Sequence, residues 1–338
     1  MKKTDRNPTI QDVAQVADVA IGTVSRYLNG FSLRKSNRLR IEKAIEELGY
    51  QSNSLARSLK TDRTNAVAFV VPSFDEFNSR ILTSLVTRFR AANYTVVTFH
   101  HEDNPNSIVE ALEAIAMRKI DGVIMSGALE ARGAAQSLLD AGRPVILYNN
   151  DIRGLEIDRV LVDNRDAARR GVEHLFQAGH RRIGIVTGDV TTSSGAERLE
   201  GYKRALTEAG LAHDDQIIFP GRWRAIDGYA ALDTFMALEE PPTAVLISSC
   251  VMAEGFLEAM KMRGVQIGKD LSLISFDDNT MFRLFSPGIA AIAQPTEQIA
   301  GYLTDLMLSR LAGGLPPASR TFTISCELVV RESIRNLT

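Results

Sequence analysis

Hydrophobic and polar positions change rhythm twice along this 338-residue chain. Over residues 9–50 the apolar positions recur three and four apart, the spacing of short amphipathic helices. Ile10, Val13, Ala14, Val16 and Ala17 form one stripe behind Thr9-Ile10-Gln11-Asp12, which reads as a capping box with Asp where Glu or Gln is usual. Asp18-Val19 reads as a tight turn, since Asp tolerates the left-handed conformation. Ile21 to Leu28 is a second helix with Val24, Tyr27 and Leu28 facing inward, closed by Asn29-Gly30. Residues 36–48 form a third, with Leu39, Ile41, Ala44, Ile45 and Leu48 apolar and Gly49 as the stop. Residues 51–63 are polar, with Leu55, Ala56 and Leu59 isolated. They read as a linker with a latent helix, and about eight helical residues alone are unstable in water.

From Asn65 the texture is different. Continuous apolar runs alternate with amphipathic helical stretches: a run at 66–71, a helix over 78–92, a strand at 95–99, a helix over 106–118, a strand at 121–125, a helix over 131–141 and a strand at 144–148. The alternation resumes with helix 165–178, strand 182–187, helix 196–209, a strand near 216–219, helix 226–238, strand 243–248, helix 251–263 and strand 271–275. Buried strands alternating with helices predict parallel sheets covered on both faces. Around 210 residues of such alternation is long for one open sheet, so two similar lobes are expected. The second would open near Gly179-His180-Arg181-Arg182. Weak strands at 290–293 and 322–330 flank a helix over 296–312. This tail is expected to return to the first lobe and finish in the second.

The fold class expected is therefore α/β: an N-terminal all-α unit followed by a two-lobed body with parallel sheets. The boundaries are a helical domain over 1–50, a linker over 51–63 and a body over 64–338. Its first lobe would comprise 64–162 and 292–324, its second 163–291 and 325–338.

Composition adds one decisive point. With 45% hydrophobic and 24% charged residues the chain has the usual globular balance. The net charge of −2 conceals a split, however. Residues 1–63 carry 12 Lys/Arg against 7 Asp/Glu, a net +5, and the rest carries 27 against 34, a net −7. A cationic head on an anionic body points to nucleic acid. Two cysteines are too few for a disulfide framework and suggest a reduced, cytosolic protein. The first residues lack the apolar stretch of a signal peptide, and no run approaches the length of a membrane span.

Two short helices joined by a tight turn, the second rich in small and polar residues, form a helix-turn-helix, whose second helix can enter the major groove. On it Ile21, Gly22, Thr23, Ser25, Arg26 and Asn29 are expected to point outward. Arg26 suits guanine, Ile21 a thymine methyl, and Gly22 a close backbone approach. Arg34, Lys35, Arg38 and Arg40 make a basic flank suited to phosphates. A small helical protein-interaction module with a solvated charged face is the alternative, and the charge split favours DNA.

The segments Thr9-Ile-Gln-Asp-Val-Ala14, Thr23-Val-Ser-Arg26, Leu28-Asn-Gly30, Ala44-Ile-Glu-Glu-Leu-Gly-Tyr50 and Asn53-Ser-Leu-Ala-Arg-Ser-Leu-Lys60 resemble the LacI/GalR (lactose-repressor/purine-repressor) family of bacterial transcription regulators. Val162-Asp-Asn164, Glu173-His-Leu175, Gly179-His-Arg-Arg-Ile183, Glu197-Arg-Leu-Glu-Gly-Tyr202 and Phe276-Asp-Asp278 continue the resemblance in the same order across the chain. It implies that Thr9, Ile21, Gly22 and Arg26 belong to the operator-contacting surface. It also implies that Leu55, Ala56, Leu59 and Lys60 lie on a hinge helix that folds on DNA and wedges Leu59 into the minor groove. The body would be a periplasmic-binding-protein-like effector domain with its cleft at the carboxyl ends of the strands. By family position Arg198 and Asp277 would hydrogen-bond a polar ligand and Trp223 would supply a flat apolar face. Phe74 and Asp75 would line the opposite lobe, Asp163 would lie near the cleft, and Ser194 and Ser249 would complete the set.

The chain also departs from the family pattern. Ala20 stands where a capping Ser or Thr is usual, a loss of about 1 kcal/mol, and Gly22 weakens the helix further. Ser249-Cys250 replaces a common Asn-Asp, and Glu76-Phe-Asn-Ser79 replaces the usual Asn-Pro-Phe-Phe. The effector is expected to be a sugar, sugar acid or related metabolite; a standard hexose does not follow, and a modified sugar or a nucleoside stays open. No cofactor, metal or catalytic residue is expected: adjacent residues of His100-His-Glu-Asp103 point to opposite faces of an extended segment, Glu173-His174 with His180 lacks HExxH spacing, and no phosphate-binding glycine loop or G-x-S-x-G elbow occurs. The partners expected are double-stranded operator DNA, a small-molecule effector and a second copy of the chain. The apolar positions Ile81, Leu82, Leu85, Val86 and Phe89 are candidates for a dimer face or for sheet packing. No leucine heptad follows Val330, so no tetramerising tail is expected. The location expected is the bacterial cytoplasm at the nucleoid, and the rival function is a cytosolic small-molecule binding protein without a DNA role.

Overall fold

The computed structural model describes residues 8–28, 31–50, 63–102, 104–313 and 318–338. The chain divides into two compact units, up to Thr64 and from Asn65. Among the described residues the first holds three helices: α1 (Ile10–Val16), α2 (Ile21–Leu28) and α3 (Lys35–Leu48). Thr9 caps α1. Its hydroxyl accepts the Asp12 N–H at 3.4 Å, and the Asp12 carboxylate takes the Thr9 N–H at 2.7 Å, so the box closes with Asp in the Glu position. Asp18 turns the chain at φ +48°, and Gly49 ends α3 in the left-handed region at φ +58°. Val13, Ala14, Ala17, Val24, Ile41 and Ala44 form the core.

The second unit alternates as the hydrophobic pattern predicts. Its order is β1 (Ala66–Val71), α4 (Glu76–Ala91), β2 (Thr95–His100), α5 (Pro105–Met117), β3 (Gly122–Ser126), α6 (Arg132–Asp140), β4 (Val145–Tyr148) and β5 (Asp158–Val162). Then come α7 (Asn164–Gln177), β6 (Ile183–Thr187), α8 (Ser193–Glu208), β7 (Ile218–Pro220), α9 (Ala225–Met236), β8 (Ala244–Ile247), α10 (Cys250–Arg263), β9 (Ser272–Phe276) and β10 (Ala290–Ala293). The chain closes with α11 (Thr296–Leu311), β11 (Thr321–Ile324) and β12 (Glu327–Val329). The strands form two six-stranded sheets, ordered β11-β5-β4-β3-β1-β2 and β12-β10-β9-β8-β6-β7. All neighbours are parallel except β10 and β12.

Both faces of each sheet are covered. In β1, Val67, Phe69 and Val71 enter one core while Ala68 and Val70 enter another. Period-2 alternation with both faces apolar is what a continuous hydrophobic strand means in a parallel sheet. Each fully buried Phe, Ile or Leu of these cores contributes about 1.5–3 kcal/mol of transfer free energy.

The hydrophobic pattern missed one strand, and the expected bounds of the tail are corrected. The strand β5 carries Asp158 and Arg159 at its start and escapes a purely hydrophobic pattern. Asp158 is nevertheless buried, because Arg310 of α11 grips it at 2.7 and 2.8 Å and the Arg320 N–H adds 2.8 Å. The expected strand 322–330 is two strands in different sheets, and the return to the first sheet begins with α11 rather than at 292, since β10 pairs with β9. Finally, Ile81, Leu85 and Phe89 of α4 are buried in the core of the same chain, with Leu82 packed at its edge. The sheet-packing alternative holds for them, while Val86 is half-buried. Among the described residues, no helix is long and apolar enough to cross a membrane.

Candidate functional site

The helical unit sorts the side chains of α2 by its own packing. Val24 is buried against α1 and α3, whereas Ile21, Gly22 and Arg26 are exposed and Thr23 and Ser25 are half-buried. Ile21, at the start of the helix, is 48% exposed. Arg26 sits 5.9 Å from the centroid of the Phe31 ring, which is itself exposed. Gly22 faces open space. The Ala20 carbonyl accepts the Thr23 N–H at 2.8 Å and so closes the first turn.

The basic flank divides. Arg38 is paired with Glu42 at 2.8 Å, and Arg40 reaches Asp18 at 3.3 Å and Asn37 at 2.9 Å. Arg34 and Lys35 are exposed and make no ion pair among the described residues. Thr9 is exposed and caps α1. Asn29, Leu55, Ala56, Leu59 and Lys60 lie outside the described residues.

In the second unit the carboxyl ends of both sheets converge on a cleft. Phe74 and Asp75 follow β1. Asp75 caps α4 by accepting the Asn78 N–H at 2.8 Å, while its other oxygen takes Ser73 Oγ at 2.5 Å. Asn78 in turn accepts the buried Tyr148 hydroxyl at 2.7 Å. Phe74 is exposed and its ring lies 5.3 Å from that of His100.

Across the cleft Arg198 of α8 is buried. Its Nε donates to Asn164 at 2.9 Å, its Nη1 to the Ser248 carbonyl at 2.5 Å, and its guanidinium lies 3.9 Å from the Phe276 ring centroid and 5.6 Å from that of Trp223. Burial pushes its pKa down, opposed by the nearby Asp277 charge. Burial pushes Asp277 up, opposed by Arg198 and by the Gln294 amide at 2.6 Å. Trp223 is half-buried on Gly188: a Cβ there would stand 1.9 Å from the ring, so only glycine admits the indole. Trp223 and Asp277 both hold φ +66°, a conformation that costs non-glycine residues about 1–3 kcal/mol and clusters at functional sites.

The lobes touch on both sides of this cleft. Glu76 accepts from the Thr280 N–H at 2.9 Å and hydroxyl at 2.5 Å, and Arg80 reaches the same hydroxyl at 3.1 Å. On the other side Ser193 Oγ accepts the Asp151 N–H at 2.8 Å, and Asn150 takes the Ser194 N–H at 3.0 Å. Between the lobes remains a cavity of about 80 Å³ lined by Glu76, Arg80, Cys250, Asp277, Asn279 and Gln294, among others. Of the residues expected around an effector, only Asp277 lines it. Arg198, Trp223 and Ser249 of the second lobe are not among the residues that wall it, and Ser249 caps α10 through the Met252 N–H at 3.2 Å. A wider groove of about 640 Å³ between α4 and α11 is open to solvent, and Arg88 and Glu297, which line it, pair with each other. The cleft is the better ligand site because both lobes wall it at the strand ends.

Asp163 is held by its own chain. Its carboxylate accepts the Cys326 N–H at 2.8 Å and Arg170 at 3.2 Å, while Arg170 also holds the Cys326 carbonyl at 2.8 Å. It ties two chain crossovers together. Sequence reasoning missed Glu76, Asn150, Thr280 and Gln294. Only Glu76 left a trace, as a departure from the family pattern.

The comparisons with known proteins agree with the order of the two units. Residues 9–53 match the family described as bacterial regulatory proteins, lacI family, and residues 172–334 match the periplasmic binding protein-like domain. The chain is 31% identical over 338 residues to the HTH-type transcriptional repressor CytR of Escherichia coli strain K12, covering 99% of each. It is 28% identical to the NTD biosynthesis operon regulator NtdR of Bacillus subtilis strain 168, covering 96% of this chain and 99% of the relative. Among solved structures it is similar to the Lac repressor dimer bound to operator and the anti-inducer ONPF, with TM-score 0.85 at 23% identity, covering 98% and 100% of the two chains. It is also similar to a transcriptional regulator CelR–cellobiose complex, with TM-score 0.73 at 26% identity, covering 96% and 99%.

Proposed function

The chain belongs to the LacI family of bacterial regulatory proteins, and we propose that it is a sequence-specific, DNA-binding transcriptional repressor. It acts in the cytoplasm as a homodimer, and a small polar metabolite held between its lobes modulates its grip on the operator. The observation that carries this reading is the division of α2. Val24 anchors the helix from below while Ile21, Gly22 and Arg26 present an apolar contact, a gap and a cationic fork on one exposed face. Such a face suits the edges of a major groove. A two-fold dimer would read a pseudo-palindromic site with half-sites spaced to match.

The proposed mechanism is a population shift between lobe arrangements. The links Glu76–Thr280 and Asn150–Ser194 hold the cleft closed. A ligand that binds one arrangement more tightly biases it, and residues 51–63 carry the difference to the head, with Leu59 as the minor-groove wedge. A coupling of about 1–3 kcal/mol changes operator affinity 5- to 150-fold.

The test is selection of tight-binding duplexes from a random pool by the full chain, followed by a salt titration. A selected pseudo-palindrome bound with an affinity that falls steeply as salt rises is the expected result. No enrichment, or binding indifferent to salt, refutes the regulator reading and leaves a small-molecule binding protein.

A further inference from the structure

Arg26 is the cation that α2 presents on its exposed face, and we infer that Phe31 positions it: the ring fixes where the guanidinium points and so sharpens the choice of base. This rests on the reading of α2 as a base-contacting helix. It adds a residue outside that helix to the determinants of operator specificity.

The place of Phe31 is set by the backbone. Its N–H donates to the Arg26 carbonyl at 3.0 Å. The bond runs from three positions beyond Leu28, the last residue of α2, back into the last turn, where Arg26 lies. This six-to-one spacing is that of a helix stop in which a side chain after the end packs on one in the last turn. Here the contact joins a ring to a cation. Arg26 Cζ lies over the Phe31 ring, 5.9 Å from its centroid. A guanidinium within about 6 Å of a ring centroid is attracted to the face of the ring. Phe31 is 60% exposed and belongs neither to the core of the head nor to the residues packed against that core, so its ring has no packing duty there.

Little else restrains the guanidinium. Long side chains on a helix lean toward the residues three and four positions earlier. For Arg26 these are Thr23, which is half-buried, and Gly22, which has no side chain and faces open space. Among the described residues Arg26 makes no ion pair, whereas Arg38 and Arg40 are held by Glu42 and Asp18. An arginine without an anchor gives up rotamer freedom when it docks. A ring that already holds it reduces that loss. The ring also occupies none of the five N–H donors, so the fork stays available for guanine O6 and N7.

The test is a double-mutant cycle in the full chain at fixed salt. Binding is measured to the duplex that the parent selects and to versions of it with each guanine replaced in turn. Phe31→Leu keeps an apolar side chain at the helix stop and removes the aromatic face. It should lower the preference for one guanine of each half-site about threefold and leave the preferences at other positions and the salt slope as in the parent. Phe31→Tyr keeps the face and should keep the preference. In the Arg26→Ala chain, Phe31→Leu should change nothing. The inference is overturned if Phe31→Leu matches the parent, if its loss is spread evenly over all sequences, or if Phe31→Tyr loses as much. It is overturned too if the loss recurs in the Arg26→Ala chain, which would make Phe31 a DNA contact in its own right. All four outcomes leave the regulator reading standing. A parent that selects no duplex overturns that reading, and this inference with it.

Discussion

The two units of this chain solve opposite problems. The helical head, with a core whose largest member is Ile41, keeps its functional side chains outside. The body has several cores, rich in Phe, Ile and Leu, and buries the charged groups that define its cleft. Surface groups such as Ile21 and Arg26 need only a scaffold that points them the right way. Buried groups such as Arg198 and Asp277 need partners, and those partners come from the far side of the fold. The head is thus a small scaffold whose stability is easily lost, and the body a large one whose electrostatics are finely set.

The largest expected effect tests the first half of that contrast. Ile41→Ala should cost the head about 3 kcal/mol, enough to unfold a unit with so little core. The sole Trp of the chain, Trp223, lies in the body, so its fluorescence reports the body alone. Helical circular dichroism should show a new early transition while the Trp223 transition stays where it is. A shift of both together would mean that the units fold as one.

The second effect, about 2 kcal/mol, belongs to the body. His101 is buried after β2, and neither ring nitrogen finds a hydrogen-bond partner. Burial and the neighbouring His100 push its pKa down to about 4 from the usual 6.5. The folded state therefore refuses a proton that the unfolded chain accepts. Stability is present above pH 6.5 and is lost as pH falls from there toward 4. The urea midpoint read by Trp223 should drop between pH 7 and 4.5, and His101→Leu should flatten that drop. An unchanged slope in the variant would assign the acid sensitivity to other groups, His180 first, since burial lowers it too.

The same contrast decides what was legible in the sequence. The head was readable because its signals are local: a capping box spanning Thr9 to Asp12, an Asp turn, and a Gly stop. The alternation of the body was readable because parallel strands buried on both faces are continuous apolar runs. Strand β5 was not, because its first two residues are charged. Asp158 is admitted to the interior by Arg310, 152 positions away. The cleft was legible only through family position, and only in part. Asp163 follows its strand as a ligand residue would, yet its partners are Cys326 and Arg170. Glu76 and Thr280 are 204 positions apart, and only the sheet order brings them together. A pattern of single residues carries no information about such a pairing.

On the head, Arg26→Ala should weaken binding to the selected duplex by about 1.5 kcal/mol, roughly tenfold, if its guanidinium bridges one base. The loss should be confined to sequences with guanine at one position of each half-site, and the melting temperature of the body should not move. A uniform loss across all sequences would make Arg26 a phosphate contact.

The smallest effect separates two kinds of basic residue on the same flank. Arg38 and Lys35 are both exposed and three positions apart, yet Arg38 is held by Glu42 at 2.8 Å and Lys35 has no ion pair among the described residues. A side chain already paired must give up that pair to meet a phosphate, so its net gain on binding is smaller. Lys35→Gln should therefore reduce the slope of log affinity against log salt by about 1 and weaken binding about threefold at moderate salt, whatever the duplex sequence. Arg38→Gln should change the slope by distinctly less. If Arg38→Gln costs the larger share of the slope, the Arg38–Glu42 pair breaks on DNA, and the head is remodelled by its partner much as the cleft is by a ligand. The contrast between a preformed outer face and an adjustable inner one would then fail.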